Sequence, residues 1–196
     1  MNKTNGSAER QLKALGIDLP RPPTPLGAYV ESVQSGKLLF LSGTLPVEGG
    51  VPKVLGRLGD ELSIEDGRRA THLAALNALA LAREALGSLD KVAHVVRLTV
   101  SLATTPEFRE HPKVADAASE LLASVFGANR TSTRMVSAWR ACRKACVWSS
   151  SFYWSWFSNR NPVSVTFVNR GFPARHAVPK PRHAQPGPAG VLQFVN

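Results

Sequence analysis

The stretch SIEDGRRATHLAALNALALAREALGSLDKVAHVVRLTVSL, residues 63–102, decides the fold of this chain. Ser63, followed three residues later by Asp66, has the capping-box pattern of a helix start. Leucines set among alanines then continue as an apolar helix until Gly87, a residue type that commonly ends helices. Residues 91–102 are rich in β-branched side chains, which favour strands. The stretch therefore predicts a helix that leads directly into a long strand.

The segments on either side of this unit extend the pattern. Upstream, the sequence predicts a short helix over residues 7–15, a proline-rich approach, and a β-hairpin formed by residues 28–33 and 37–43. Downstream, it predicts a second helix over residues 112–126 and a strand beginning at residues 131–136. This order predicts an α+β fold in which two helices cover one face of a mixed sheet. One further strand is needed to complete the sheet.

The charge of the chain is concentrated at one end. The 196 residues carry a formal net charge of +10, from 24 Lys and Arg against 14 Asp and Glu. Residues 137–196 hold eight of the basic residues and none of the acidic ones, so residues 1–136 are close to neutral. We therefore predict one domain over residues 1–136 and a basic tail, rich in Trp and Pro, over residues 137–196.

The composition and the cysteine spacing argue against several classes of protein. A hydrophobic content of 43% is too high for a disordered chain. No stretch approaches the roughly 18 apolar residues of a membrane span, and the start lacks the apolar block of a signal peptide, so we expect a cytoplasmic protein without membrane contact. Cys142 and Cys146 have no second pair, and His176 and His183 lie far away in the chain, so no metal site is expected.

The tail admits two interpretations. Its basic and aromatic residues suit a disordered arm that stacks on single-stranded nucleic acid. Alternatively, the chain after about Val136 comes from a shifted reading frame. When the third base of each codon is joined to the first two of the next, residues 138–157 can encode VASLPQGVCVELELLLELV before a stop. Because this reading restores both acids and a strand pattern, we interpret the tail as an unrelated segment that replaces the final strand.

Several stretches of the chain resemble the RidA/YjgF family, whose longer bacterial branch is also described as endoribonuclease L-PSP-like. They cover most of residues 12–136 and are LGIDLP, PLGAYVESVQSGKLLFLSGTLP, ALGSLDKVAHVVRLTV, PEFREHPKVADAASELLASVFG and TSTRMV. The resemblance implies a chorismate-mutase-like fold and a homotrimer with active sites between subunits. It also implies hydrolysis of reactive enamines and imines, such as 2-aminoacrylate, to 2-keto acids and ammonium without a cofactor or metal.

The resemblance also implies the site residues. Arg134 matches the family arginine that holds the substrate carboxylate, which a planar guanidinium can do through two parallel hydrogen bonds. Tyr29 matches a tyrosine at the cleft whose hydroxyl bonds substrate or water, and Gly43 matches the position where the backbone approaches the ligand. Asp116 falls at a substrate-binding position where many members carry asparagine. A carboxylate there would repel an anion, so either the substrate preference differs or the alignment is shifted by one residue.

The largest departure from the family lies in the last strand. Family members carry a glutamate there that positions or activates the attacking water, whereas this chain has no acid after Glu120. The chain therefore lacks its candidate general base, which puts its activity in question. Two other functions stay open: an RNA-binding or endoribonuclease-like protein that uses the basic tail, and a catalytically silent trimer that binds metabolites.

Overall fold

The computed structural model describes residues 7–25, 27–130 and 132–139 and the backbone of residues 149–158 and 161–164. This part of the chain contains three α-helices, two short 3-10 helices and eight strands. The helices are α1 (Ala8–Ala14), α2 (Ile64–Leu86) and α3 (His111–Phe126). The strands are β1 (Ser32–Ser35), β2 (Leu38–Leu41), β3 (Val47–Glu48), β4 (Val51–Pro52), β5 (Val92–Ala103), β6 (Thr133–Trp139), β7 (Ser149–Ser158) and β8 (Asn161–Ser164).

One mixed sheet organises these elements. Its strand order is β1-β2-β7-β5-β6, and β8 pairs with β7. The pairing of β5 with β6 is parallel, and the other pairings in this sheet are antiparallel. The strands β3 and β4 form a separate small hairpin. The predicted α+β fold with a mixed sheet is confirmed.

The helix–strand unit of residues 63–102 folds as predicted. The Ser63 hydroxyl accepts a hydrogen bond from the Asp66 amide at 3.1 Å, and the Asp66 carboxylate accepts one from the Ser63 amide at 2.9 Å. The hydrogen bond from the Ser63 hydroxyl is the main cause that lowers the pKa of Asp66. Gly87 ends the helix in the left-handed conformation with φ of 76°. Local sequence signals alone therefore fix both ends of α2.

The hydrophobic core lies between the sheet and the two long helices. Small alanines on α2 allow it to pack closely against the apolar face of α3, and leucines and valines of β5 fill the space beneath them. Burial of each such leucine contributes about 1.5–3 kcal/mol, so this layer supplies most of the stability of the domain. The largest fully buried side chains are Leu39, Leu41, Leu58, Leu79, Leu89, Leu98, Leu102, Leu122 and Val92.

The first hairpin begins later than predicted. Its first strand covers residues 32–35 instead of 28–33, and the turn consists of Gly36 and Lys37, with Ser35 paired to Leu38. Gly36 has φ of +57°, a conformation that glycine adopts at little cost and that suits a two-residue hairpin turn. The turn therefore sets the register of the hairpin, and residues 28–31 of the predicted strand remain outside β1.

The tail contains a strand that its sequence pattern did not indicate. Residues 149–158 form β7, which lies between β2 and β5 and pairs with both. A gap there would leave two rows of backbone donors and acceptors unpaired, and the Phe, Tyr and Trp of this segment favour strands. The position of the final strand is thus filled by the tail, over the same stretch where the shifted frame would encode VELELLLELV.

A buried amide joins α2 to the loop that follows β2. The Asn77 side-chain nitrogen donates to the backbone oxygens of Leu45 and Val47, at 2.8 Å in each case. One turn earlier on α2, the Ala74 carbonyl accepts a hydrogen bond from the Thr44 hydroxyl at 2.8 Å. Both polar side chains are almost completely buried. These bonds hold the loop against the helix.

We expect Asn77→Ala to lower the free energy of unfolding by about 2 kcal/mol, because two hydrogen bonds are lost and two partly buried carbonyls lose this donor. Chemical denaturation of the full chain measures this change. The control Asn129→Ala makes the same chemical change at an exposed position and should cost less than about 0.5 kcal/mol. Equal effects of the two substitutions would show that the Asn77 hydrogen bonds do not stabilise the loop against α2.

Candidate functional site

A cavity of about 360 Å³ lies at the end of the first hairpin. The backbone of Ser42 donates to the Glu31 carbonyl at 2.7 Å, and its hydroxyl donates to the Val30 carbonyl at 2.6 Å, so the two chain segments that leave the hairpin stay together. Tyr29 and Gly43, both predicted site residues, line this cavity. Its other walls come from residues 21–25, whose prolines favour an extended backbone, and from the loop that Asn77 holds.

Arg134 lies elsewhere, on β6, where parallel pairing places it opposite Leu98 of β5. Its Nη1 atom donates to Asp116 Oδ1 at 2.5 Å and to Ser119 Oγ at 3.1 Å. Asp116 and Ser119 are three residues apart on α3, so they face the same side of the helix. The helix therefore fixes one edge of the guanidinium while the side chain keeps 27% of its surface exposed.

Arg134 also lines a second cavity, of about 390 Å³. Within the residues that the structure describes, its Nε and Nη2 atoms make no hydrogen bond. The hydroxyl-bearing residues Ser119 and Ser132 and the acid Glu120 line the same space. Glu120 is bound to Arg68 at 2.7 Å. A guanidinium with two free donors on one edge, next to hydroxyl groups, can hold a small anion.

The four predicted site residues fall into two pairs in a single chain. Tyr29 and Gly43 line the cavity at the hairpin, and Arg134 and Asp116 contact each other at the sheet edge. Neither Arg134 nor Asp116 is among the residues that line the hairpin cavity. One chain alone therefore does not bring the predicted set into one cavity.

Sequence reasoning missed Ser119 and Asn77. Ser119 lies one helical turn after Asp116, and its spacing could have placed it beside Arg134 once the contact with α3 was assumed. Asn77 is a polar residue within an apolar, alanine-rich stretch of α2, where a buried amide needs partners. The sequence alone could therefore have identified Asn77.

Two of the described histidines, His72 and His111, show the influence of their surroundings. Burial lowers the pKa of His72, so its imidazole is neutral at neutral pH. His111 contacts Phe108 edge to face, with ring centroids 5.0 Å apart. Among the described residues, no three His, Cys, Asp or Glu side chains are grouped so that they could hold a metal ion. Cys142, Cys146, His176 and His183 lie outside the described residues.

The described helices also bear on membrane contact. None of them combines the length and the apolar character that crossing a bilayer requires.

Comparison with known proteins identifies the family. The model of the family described as "YjgF/chorismate mutase-like, putative endoribonuclease" matches residues 9–146. Protein TCP17 of Trypanosoma cruzi is 39% identical over 123 residues, which are 63% of this chain and 77% of that protein.

Two solved structures are similar over most of their length. A "putative endoribonuclease" of Shewanella oneidensis MR-1 has 31% identity and a TM-score of 0.69, and the match covers 75% of this chain and 98% of that one. Atu1372 of Agrobacterium tumefaciens, a protein of unknown function, has 34% identity and a TM-score of 0.65, with 74% and 92% covered. From its sequence motifs, its sheet and these matches, the chain belongs to the RidA/YjgF family, the YjgF/chorismate mutase-like proteins.

Proposed function

We propose that this protein derives from an enzyme that hydrolyses reactive enamines and imines, such as 2-aminoacrylate, to 2-keto acids and ammonium. Membership of the RidA/YjgF family supports the proposal, and the reaction needs only water as a second substrate. The single observation that carries it is the state of Arg134. Its Nη1 atom is held by α3, and its Nε and Nη2 atoms are left for a ligand within the described part of the chain.

This arrangement suits the recognition of a small carboxylate. The two free nitrogens lie on one edge of a planar group, so a carboxylate can accept two parallel hydrogen bonds from them. Such a contact fixes the substrate in position and in rotation, which lowers the barrier for attack of water on the imine carbon. Ser119 and Ser132, at the same cavity, can bind that water or the substrate nitrogen.

A second copy of the chain would complete the site. Because Tyr29 and Gly43 line a different cavity from Arg134, we propose a homotrimer in which one subunit supplies the first pair and its neighbour supplies Arg134. Exposed apolar residues on the strands support this arrangement. They are Val33 on β1, Val96 on β5 and Met135 on β6. Association would bury them.

The last strand limits the activity of the present chain. We propose that residues 137–196 come from a shifted reading frame, so that β7 supplies the backbone of the final strand without the acid that the shifted reading restores. Without a positioned base, the attacking water is activated only weakly. General acid–base catalysis typically contributes about 10²–10⁴-fold, which sets the size of the expected loss.

We expect the frame-restored protein to form ammonium and keto acid from freshly generated 2-aminoacrylate about 10²–10⁴-fold faster than the present chain.

In the restored protein, Arg134→Ala should lower kcat/KM at least about 100-fold, because the carboxylate contact is lost. Arg130→Ala, a matched arginine deletion near the start of β6, serves as the control and should leave the rate unchanged. An inactive restored protein, or one indifferent to Arg134→Ala, would remove the deaminase proposal. The nucleotide sequence around codons 134–158 tests the frameshift directly.

Self-association is tested through the exposed strand residues. Val96→Asp should shift the molecular mass measured by light scattering from that of a trimer to that of a single chain, because it puts a charge into the proposed contact. Leu15→Asp makes the same change at an exposed position after α1 and should leave the mass unchanged. A wild-type chain that is monomeric at all concentrations would contradict the composite site.

The description of the family as endoribonuclease favours one alternative, in which the protein binds RNA. The basic residues of the tail would then contact phosphates, and its aromatic residues would stack on bases. Binding of a single-stranded oligonucleotide should fall steeply between 50 and 200 mM salt, by about 10³-fold or more for six or more phosphate contacts. It should also weaken when residues 165–196, which lie beyond β8 and hold four of the eight basic residues of the tail, are removed. Binding that is absent or insensitive to salt would exclude this alternative.

A further inference from the structure

We propose that Met135 is a site of reversible oxidation by peroxides, at which the Thr99 hydroxyl and the Arg97 guanidinium bind the oxygen of the methionine sulfoxide. The site lies on the face of the sheet that points away from the helices. The inference goes beyond the proposed function, because it depends neither on Arg134 nor on self-association.

The three side chains share one face of the β5–β6 pair. Leu98 and Val100 belong to the hydrophobic core, so the residues that alternate with them on β5 point to the opposite face of the sheet. Arg97 and Thr99 are two of these residues. Met135 of β6 is the register partner of Thr99. Because paired strands lie about 4.7–4.9 Å apart, the side chains of the two residues are neighbours.

Arg97 already contacts the sulfur atom of Met135. Its Nη2 atom donates a hydrogen bond to Met135 Sδ at 3.2 Å. A thioether sulfur is a weak acceptor, whereas a sulfoxide is a polar group with an oxygen that accepts well. A hydrogen bond from a charged guanidinium to such an oxygen is among the strong ones. Oxidation therefore replaces a weak acceptor for Arg97 by a strong one, with little movement of either side chain.

Thr99 supplies a second donor, which has no acceptor while Met135 is reduced. Thr99 is only 4% exposed, and its Oγ1 atom makes no hydrogen bond within the described part of the chain. Buried polar groups without a partner cost free energy and are rare in folded proteins. An oxygen atom on the neighbouring sulfur would give this hydroxyl an acceptor. The unpaired hydroxyl is the observation that carries the proposal, since it calls for an atom that the reduced side chain lacks.

The sulfur of Met135 is open to an oxidant. The residue is 44% exposed, and its sulfur has a second lone pair besides the one that faces Arg97. This lone pair attacks one oxygen of hydrogen peroxide, so that an S–O bond forms and the O–O bond breaks. The proton on the new S–OH group passes to the departing hydroxide, which gives a sulfoxide and water. Sulfur loses two electrons to the peroxide, and methionine sulfoxide reductases reverse the change.

Oxidation at this site stabilises the protein, which is the reverse of its usual effect. A methionine sulfoxide generally disrupts packing because it brings a polar group into apolar surroundings. Here the oxygen enters a place between two donors of β5, so it adds hydrogen bonds that join β6 to β5. The oxidised chain therefore holds its edge strand more firmly than the reduced chain does.

Peroxide treatment of the full chain tests the proposal, with Cys142→Ser and Cys146→Ser present to remove the two thiols. Peptide mass spectrometry should show the gain of one oxygen on Met135, the only methionine of the chain besides Met1. We expect oxidation to raise Tm by about 2–4 °C, measured by circular dichroism. Treatment with methionine sulfoxide reductase should return Tm to its starting value.

Four variants on this background assign the rise in Tm to the two donors. In Thr99→Val, which removes the hydroxyl and keeps the shape of the side chain, oxidation should no longer raise Tm. Arg97→Ala should make the rise smaller. Ser101→Ala is the matched control, because it removes a hydroxyl from the same face of β5 that is hydrogen-bonded to the Ser137 hydroxyl, at 3.0 Å, and it should keep the rise unchanged. Met135→Leu should not respond to peroxide.

Several results would overturn the proposal. They are a Tm that oxidation lowers or leaves unchanged in the parent chain, an equal rise in Thr99→Val, and a Met135 that stays reduced under conditions that oxidise free methionine. If Thr99→Val does not fold, Thr99→Ser and Thr99→Ala take its place. The rise should then persist in Thr99→Ser, which keeps a hydroxyl, and disappear in Thr99→Ala, and the same response in both would contradict the role of Thr99.

Discussion

The structure depends on one constraint, the need to fill the position between β2 and β5. Each of these strands presents a row of backbone donors and acceptors to that position, and buried peptide groups that stay unpaired cost free energy comparable to a lost hydrogen bond. β7 satisfies both rows at once and joins the hairpin to the rest of the sheet. Without it, the face on which α2 and α3 pack would be split in two. Main-chain pairing places few demands on side-chain identity, so a segment without a regular hydrophobic period can occupy this position.

Catalysis places stricter demands on side-chain identity than main-chain pairing does. The two site residues that contact each other, Arg134 on β6 and Asp116 on α3, precede residues 137–196 in the chain. If Arg134 binds a small carboxylate, as we propose, this binding does not depend on the last strand. In the same proposal, activation of water depends on an acidic side chain, and the chain has none after Glu120. The proposed binding and the proposed turnover thus rest on different segments of the chain.

The sequence was sufficient to predict an element wherever local signals and tertiary packing agree. The capping box at Ser63 and the glycine at 87 determine the ends of α2, and β-branched residues determine β5. The predicted start of the first hairpin was wrong because the turn at Gly36, rather than the alternation before it, sets the register. β7 was missed because a gap in the sheet, not a local hydrophobic period, specifies it. The contact of Asp116 with Arg134 could not be predicted either, since it joins residues 18 apart and depends on how α3 packs on β6.

The amide of Asn77 has a consequence for motion in this domain. It bonds the loop that lines the hairpin cavity to the interior of α2, so the position of α2 sets the width of that cavity. Opening the cavity then requires either breaking two buried hydrogen bonds or moving the helix, and both open the core. A ligand seated there would protect the amide protons of α2 from solvent exchange, even those it does not touch. The hairpin cavity and the core of the domain would open and close as a single cooperative unit.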